Sequence, residues 1–448
     1  VVSKSADHNV SAEMRALARR IFTQALAQCS VGKAFKQNVE CSRSLLRVAE
    51  DLYDLNAFSR VLVIAMGKAA RPMAEALAEQ VGEAAKGIFV ELESGIGKPM
   101  LPGFRHYFGG HPLPTKGSVD AAKAILKTLS AQSQMENALV IYLLSGGASA
   151  MVETPIDKEI TLDDLLMTYR GLVHSGAPIA KVNAIRKHLS AIKGGRLALM
   201  ANNAGAAQQV SIMVSDVPEA MPDALGSGPT MPDSATVEDC YAIASEYKLT
   251  QQFPQSVSEL FEKKLLEETP KQEDGVFHHS RWWTVLSNES LQRAAASIAA
   301  EEGFAVEVDN SCDDWDYARS ADYLLEKVRK LRQGVSRVCL ISGGEVTVRV
   351  PAKSRPGRGG RNQQFALYCA TKIAGEKICV LSAGSDGIDG DSPAAGGVVD
   401  GTTASRAPDI AEALGRFDAF PLLERLGDAV MTGATGNNIR DLRVLLAW

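Results

Sequence analysis

The sequence lacks several signatures that would settle its chemistry at once. Its seven cysteines (29, 41, 240, 312, 339, 369 and 379) form no Cys-x-x-Cys pair and no Cys/His spacing suited to zinc, so they read as reduced thiols of a cytosolic enzyme. Neither G-x-x-x-x-G-K-[ST] nor a strand-linked G-x-G-x-x-G occurs. Any nucleotide is therefore held without a P-loop or dinucleotide fingerprint, which counts against NAD. His111 and His188 have no G-x-S-x-G partner, so a hydrolase triad is unsupported. No stretch is apolar enough to cross a bilayer, and the first residues, VVSKSADHNV, contain neither an apolar signal core nor an Arg-rich presequence. The absent initiator Met implies a trimmed or partial start and leaves a removed targeting segment open. A net charge of -5 and a pI near 5.9 give no general attraction to nucleic acid or membrane.

The 448 residues, 46% hydrophobic and 23% charged, suit a soluble protein of two or three domains. Apolar runs at 61–65, 87–92, 138–144 and 209–214 alternate with helical patterns at 69–81, 120–129 and 162–175, which predicts an α/β fold with a mostly parallel sheet covered on both faces. A helix over 11–29 is expected behind a Ser11 cap, and a second helical stretch through Leu45, Leu46 and Ala49. FGGHPLPT (108–115) reads as ordered loop. Residues 251–281 turn polar and Pro/Gly-bearing and mark a boundary between a first domain, 11–250, and a second, 282–448.

Candidate functional residues cluster where strands end in small residues. LLSGGASA and LISGGEVT each place Ser-Gly-Gly after a strand: Ser145, Gly146 and Gly147 in one, Ser342, Gly343 and Gly344 in the other, the latter followed by Glu345. In parallel sheets such turns lie at the carboxyl ends of strands, where ligands bind. Lys68 follows a strand and Gly67 at the start of a helix, and Arg358 and Arg361 sit in a Gly/Arg loop ahead of a helix opening near Asn362. Cations beside oriented amides suit phosphate or carboxylate oxygens. Asp386, Asp389 and Asp391 resemble a cation-binding run, with Asx-turns as the alternative; Asp216 is a catalytic carboxylate or a helix cap. The acid-free basic stretch 181–196 is either a solvated helix face or the lining of an anionic cleft.

GKAA (67–70), LLSGGASA (143–150), RKHLSAIKGGRLA (186–198), SDVPEAMPDALGSGPTMPD (215–233), ISGGEVTV (341–348), GRGGRNQQFAL (357–367), SAGSDGIDG (382–390) and TGATGNNIRDLRVLL (432–446) together resemble the class II glycerate 2-kinases, whose C-terminal part is the MOFRL domain. The resemblance implies a Rossmann-like α/β/α N-terminal domain, a smaller α/β C-terminal domain and an active site in the cleft between them. It implies a cytoplasmic, ATP-dependent, Mg-assisted kinase that converts D-glycerate to 2-phosphoglycerate, with small-molecule partners only and monomer or homodimer left open. The family's active-site lysine falls on Lys68 and its arginine on Arg361, with Arg358 second. Asp216 is then the expected base, Asp386 and Glu345 the expected Mg ligands, and Ser145–Gly147, Ser342–Gly344, Arg358 and Asn362 the expected substrate and phosphate contacts. Departures from the family pattern are Gln364 for the usual Glu, SGGASA for SGGGSA, and TGNN for TGTN. The competing readings are a hydroxypyruvate reductase using NAD(P)H and a non-catalytic sugar-acid phosphate binding protein.

Overall fold

The computed structural model describes residues 2–351 and 354–448. By its contacts the chain divides into two units, Val31–Val285 and a second made of Val1–Ser30 with Leu286–Trp448.

The Val31–Val285 unit opens with a three-stranded antiparallel meander, β1 (Val39–Ser42), β2 (Leu45–Val48) and β3 (Asp51–Asp54). The helical turn expected around Leu45–Ala49 is thus a strand pair, because Leu46 and Val48 alternate inward against Tyr53. Its main sheet holds β4 (Arg60–Met66), β5 (Gly87–Leu92), β6 (Phe104–Gly109), β7 (Ala138–Ser145), β8 (Gln208–Val214) and β9 (Ser280–Leu286) in the order β6-β5-β4-β7-β8-β9. All pairs from β6 to β8 are parallel. β7 is buried at every residue, as expected of a strand covered on both faces. The chain starts at β4, works outward to β6, then returns to β7 on the other side. The order therefore reverses between β4 and β7, the switch point at which open α/β sheets bind ligands.

Flanking helices begin where side chains satisfy their first amides. Lys116–Leu129 and Leu162–His174 start with capping boxes from Thr115/Ser118 and Thr161/Asp164. Leu165, Tyr169, Ile185, Cys240, Val257 and Phe261 form a second core apart from the sheet. The expected linker 251–281 contributes to that core through the helix Gln255–Glu262, and β9, expected in the second domain, is the edge strand beside β8. Strand β6 also absorbs Phe108 and Gly109 from the expected loop.

The second unit carries β10 (Ala305–Val308), β11 (Val338–Gly343), β12 (Ile378–Gly384), β13 (Gly396–Asp400), β14 (Ala429–Val430) and β15 (Asp441–Ala447) in the order β10-β11-β15-β12-β13-β14. This sheet is mixed: β10 and β11 are parallel, whereas β15 runs antiparallel between β11 and β12. The final strand thus joins two strands whose carboxyl ends lie on either side of Asp441.

The first helix spans Val2–Gln28, so Ser11 lies inside it rather than capping it. It buries Leu17, Ala18, Ile21, Phe22 and Ala25 in the second unit, and Arg15 pairs with Asp400 and with Asp428 at 3.3 Å. Asn437 Nδ2 donates to the Cys29 carbonyl at 2.8 Å just beyond its end. The helix therefore packs with the C-terminal half, not with the sheet that follows it in sequence.

Candidate active site

At the switch point, the Lys68 amide donates to the Gly146 carbonyl (2.9 Å) and the Ala69 amide to Ser145 Oγ (3.0 Å). These bonds tie the loop after β4 to the loop after β7. Gly67 (φ 118°) admits the approach: a Cβ there would lie 2.3 Å from Ser145 Oγ. Gly147 (φ 85°) is flanked by the Lys68 stem and the His111 ring, each 3.2 Å from where its Cβ would stand. Asp216 presses on Gly146, its Oδ2 1.9 Å from a Cβ built there, and no helix starts at Asp216, so it is not a cap.

The structure thus gathers Lys68, Ser145, Gly146, Gly147 and Asp216 at one end of the sheet. It adds His111, which the sequence reading had set aside; its place in a Gly/Pro-rich loop gave no sign of proximity to Lys68. Partial burial and then the Lys68 charge hold the His111 imidazole below its usual pKa. Lys68 is exposed, and among the described residues no carboxylate pairs with its ammonium and no acceptor takes the Gly146 or Gly147 amides. The site has unused positive charge and unused N–H donors.

The basic stretch 181–196 divides: Lys181 is a solvated surface cation paired with Glu246 at 2.6 Å, whereas Lys187, Lys193 and Arg196 are buried. Lys187 is buried between Asp223 (2.7 Å) and Asp233 (3.0 Å). Lys193 is fully buried against Glu153, which also accepts from Tyr169 and Ser190 at 2.6 Å each. Burial pulls the Lys193 pKa down while Glu153 pushes it up. Lys193 Nζ also donates to the Ser149 carbonyl (2.8 Å), bracing the turn that follows Ser145–Gly147. The acids that answer these lysines are distant in sequence, so the local pattern did not reveal them.

In the second unit, Arg361 opens the helix Arg361–Lys372 and grips Asp441 with Nε (2.6 Å) and Nη2 (3.1 Å), while Nη2 also meets Glu345 Oε1 at 2.8 Å. Burial works against the Arg361 charge, but the Asp441 bonds and the charges of Asp441, Glu345 and Asp389 outweigh it and raise its pKa. Glu345 is pushed upward by burial and by Asp441, with Arg361 opposing. Among the described residues Nη1 of Arg361 has no partner, and the residue lines a cavity of about 380 Å³ with Val350, Pro356, Gly360 and Phe417. Asp441 was not singled out, because it falls between a Gly-rich turn and an apolar run that begins at Leu442.

The Gly/Arg loop itself is pinned by carboxylates. Asp418 accepts from the Arg358 amide (2.8 Å), Asp391 from Gly359 (2.9 Å), and Asp389 from Asn362 (3.1 Å) and Gln363 (2.9 Å). Gly357 and Gly360 are needed for these acids: a Cβ would stand 2.2 Å from Asp418 and 2.3 Å from Asp389. Arg358 is exposed and lies over the Phe420 ring at 4.9 Å, whereas the Asn362 side chain is buried and accepts from Ser382 at 2.6 Å, so it is not turned outward to a ligand. Gln364, in place of the family's Glu, donates to the Leu414 carbonyl at 3.0 Å.

The two Ser-Gly-Gly turns, alike in sequence, differ in their amides. Those of Gly343, Gly344 and Glu345 are taken by Asn310 (2.9 Å), Asn288 (3.0 Å) and Asp313 (3.0 Å). Ser342 Oγ is buried and has no partner among the described residues. The second turn is therefore a structural joint, and the expectation that Ser342–Gly344 cradles phosphate is corrected accordingly. Among the described residues no group of three His, Cys, Asp or Glu side chains is arranged to hold a metal. Mg²⁺ needs only one or two carboxylates when phosphate oxygens complete its shell. Asp386 meets that need: it is half-buried, its Oδ1 makes an Asx-turn bond to Ile388 (3.0 Å), and it and Asp441 Oδ1 both approach Gly384, at 3.1 and 3.3 Å from a Cβ there. Glu345 fits less well, because Arg361 already occupies it.

Residues 17–262 match the family described as a domain of unknown function, DUF4147, and residues 338–441 match the MOFRL family. A D-glycerate 2-kinase from Thermotoga maritima is 34% identical over 91% of this chain and 95% of its own length. The chain belongs to the glycerate 2-kinase family. A crystal structure of glycerate kinase from Thermotoga maritima superimposes with a TM-score of 0.83 at 31% identity, covering 97% of this chain and all of that one. A protein of Agrobacterium vitis provisionally named hydroxypyruvate reductase is 33% identical over 86% of this chain and 99% of its length. Names of two chemistries thus occur among these relatives.

Proposed function

We propose that the protein transfers the γ-phosphoryl group of ATP to the 2-hydroxyl of D-glycerate. The observation that carries this reading is the pairing of an uncompensated Lys68 with the open Gly146 and Gly147 amides at the switch point. Phosphoryl transfer asks mainly for positioning of anions and for fixed positive charge on the equatorial oxygens. Lys68 and those amides supply both within one unit; Arg361, aimed by Asp441, is the fixed cation of the other.

Lys68 Nζ and the two amides bind phosphate oxygens, and Arg361 Nη1 binds an oxygen of the transferring group or of the glycerate carboxylate. Asp216 accepts the proton of the attacking hydroxyl. Asp386 is the carboxylate assigned to Mg²⁺, which would neutralise charge shared between the β- and γ-phosphates. Seven free cysteines fit a reducing, cytoplasmic setting. Reduction of hydroxypyruvate is disfavoured because no dinucleotide fingerprint follows β4.

Incubation with D-glycerate, ATP and Mg²⁺, with the product identified by phosphorus NMR, tests the reading. Formation of 2-phosphoglycerate supports it; oxidation of NAD(P)H by hydroxypyruvate without ADP formation would replace it by the reductase.

A further inference from the structure

The Val31–Val285 unit contains a second concavity that the phosphate-binding groups do not use, a cavity of about 830 Å³ at the ends of β8 and β9. Its floor is apolar: Met213 from β8, Met231, and Trp282 from β9. The Trp282 indole is held in place, donating to the Thr230 carbonyl at 2.9 Å and packing on Phe277 at 5.9 Å between ring centroids. Its rim is polar: Glu219, Glu273 and Lys271 line it with Asp223 and Asp233, both of which pair with the buried Lys187. The buried Lys187 fixes Asp223 through Oδ2, which leaves Oδ1 as an acceptor.

We infer that this cavity receives the nucleoside of ATP, an inference that rests on the kinase reading above. A flat, immobilised indole over an apolar floor suits a purine base, and a fixed carboxylate suits ribose hydroxyls. The volume is also far larger than a three-carbon acid requires.

Continuity with the phosphate site comes through one segment. Asp216 lies against Gly146, Glu219 and Asp223 line the cavity, and Ser227 Oγ meets Ser149 Oγ at 2.8 Å just beyond the Ser145–Gly147 turn. The segment 216–227 thus both lines the cavity and touches the turn that carries the Gly146 and Gly147 amides.

The test fills the cavity from its exposed edge strand with Thr284→Trp. The expected result is a rise of at least tenfold in the KM for ATP with less than twofold change in the KM for D-glycerate. A KM for ATP within twofold of the parent, or a rise confined to D-glycerate, overturns the assignment while leaving the kinase reading intact. If the variant fails to fold, Asp223→Asn replaces it; a KM for ATP at least threefold higher supports the assignment, and an unchanged value overturns it. Should the parent form no 2-phosphoglycerate, the kinase reading fails separately. Titration with AMP then decides the cavity: fluorescence quenching lost in Trp282→Phe supports it, and no quenching in the parent overturns it.

Discussion

Arg361 and Asp441 form a two-pronged ion pair in which the carboxylate is almost fully buried and, among the described residues, guanidinium Nη1 has no partner. The strand that supplies Asp441 is held on both sides, by β11 and β12, so the arginine is aimed by the middle of a sheet rather than by its own loop. Truncation by Arg361→Ala should lower kcat and kcat/KM together, by about 10³-fold, the lower range for an arginine that stabilises a phosphoryl transition state. Arg361→Lys should recover little of this, because an ammonium cannot span both Asp441 oxygens and still reach a substrate. Steady-state kinetics of the two variants checks both statements, and near-normal turnover of Arg361→Ala would remove the residue from the mechanism.

Lys68→Met should be equally damaging to turnover while changing the thermal midpoint by no more than about 2 °C. The side chain is exposed and bonded to nothing acidic among the described residues, and substitutions at such positions shift stability by only about 0.5 kcal/mol. Calorimetry beside the assay separates loss of chemistry from loss of fold.

At Gly146 the smallest possible side chain is already too large, since its Cβ would overlap Asp216. Gly146→Ala should therefore displace the proposed base and depress kcat by roughly 10²-fold, the lower range for general-base catalysis. A variant with unaltered kcat would show that the Asp216 carboxylate has no part in proton transfer.

Asp389 is pushed up to about 6, by burial first and by the Asp441 charge, against hydrogen bonds from the Gln363 and Asn362 amides and the Arg361 charge. Because the folded pKa lies above the unfolded one, the unfolded chain releases its proton earlier, and stability falls as pH rises from about 4 to about 6, then levels off. The loss amounts to at most roughly 3 kcal/mol. In Asp389→Asn this part of the decline should disappear, as urea titrations at several pH values would show; an unchanged slope would assign the decline to other groups.

Lys193 and Glu153 are both fully buried, so removing one partner strands a charge. Lys193→Met should cost about 3–5 kcal/mol, the range for a broken buried pair. Urea denaturation measures it; a loss below about 1 kcal/mol would mean that the pair is solvated in the native state.

How much of this was readable beforehand varies with the range of the interaction. The β4–loop–helix unit around Lys68 and the buried run of β7 are local patterns, and the sequence displayed them almost to the residue. The Ser-Gly-Gly turns looked equivalent, yet only the first keeps its amides open, because Asn288, Asn310 and Asp313 reach the second from elsewhere in the chain. Glycines of the Gly/Arg loop suggested phosphate and instead admit Asp389 and Asp418. Each such partner lies dozens of residues from the group it satisfies, and periodicity carries no information over that distance. Leu45–Val48 misled for a different reason: short apolar runs fit both periods.

The first helix, Val2–Gln28, buries its apolar face among residues that come after Leu286. During synthesis it emerges before the 255 residues of the Val31–Val285 unit, and ribosomes add only about 5–20 residues per second. For tens of seconds, then, Leu17, Ile21 and Phe22 have no native surface to cover, while the Val31–Val285 unit is already able to fold. The order of translation therefore leaves this helix without its native partners until the strands after Leu286, including the one that brings Asp441 to Arg361, have been made.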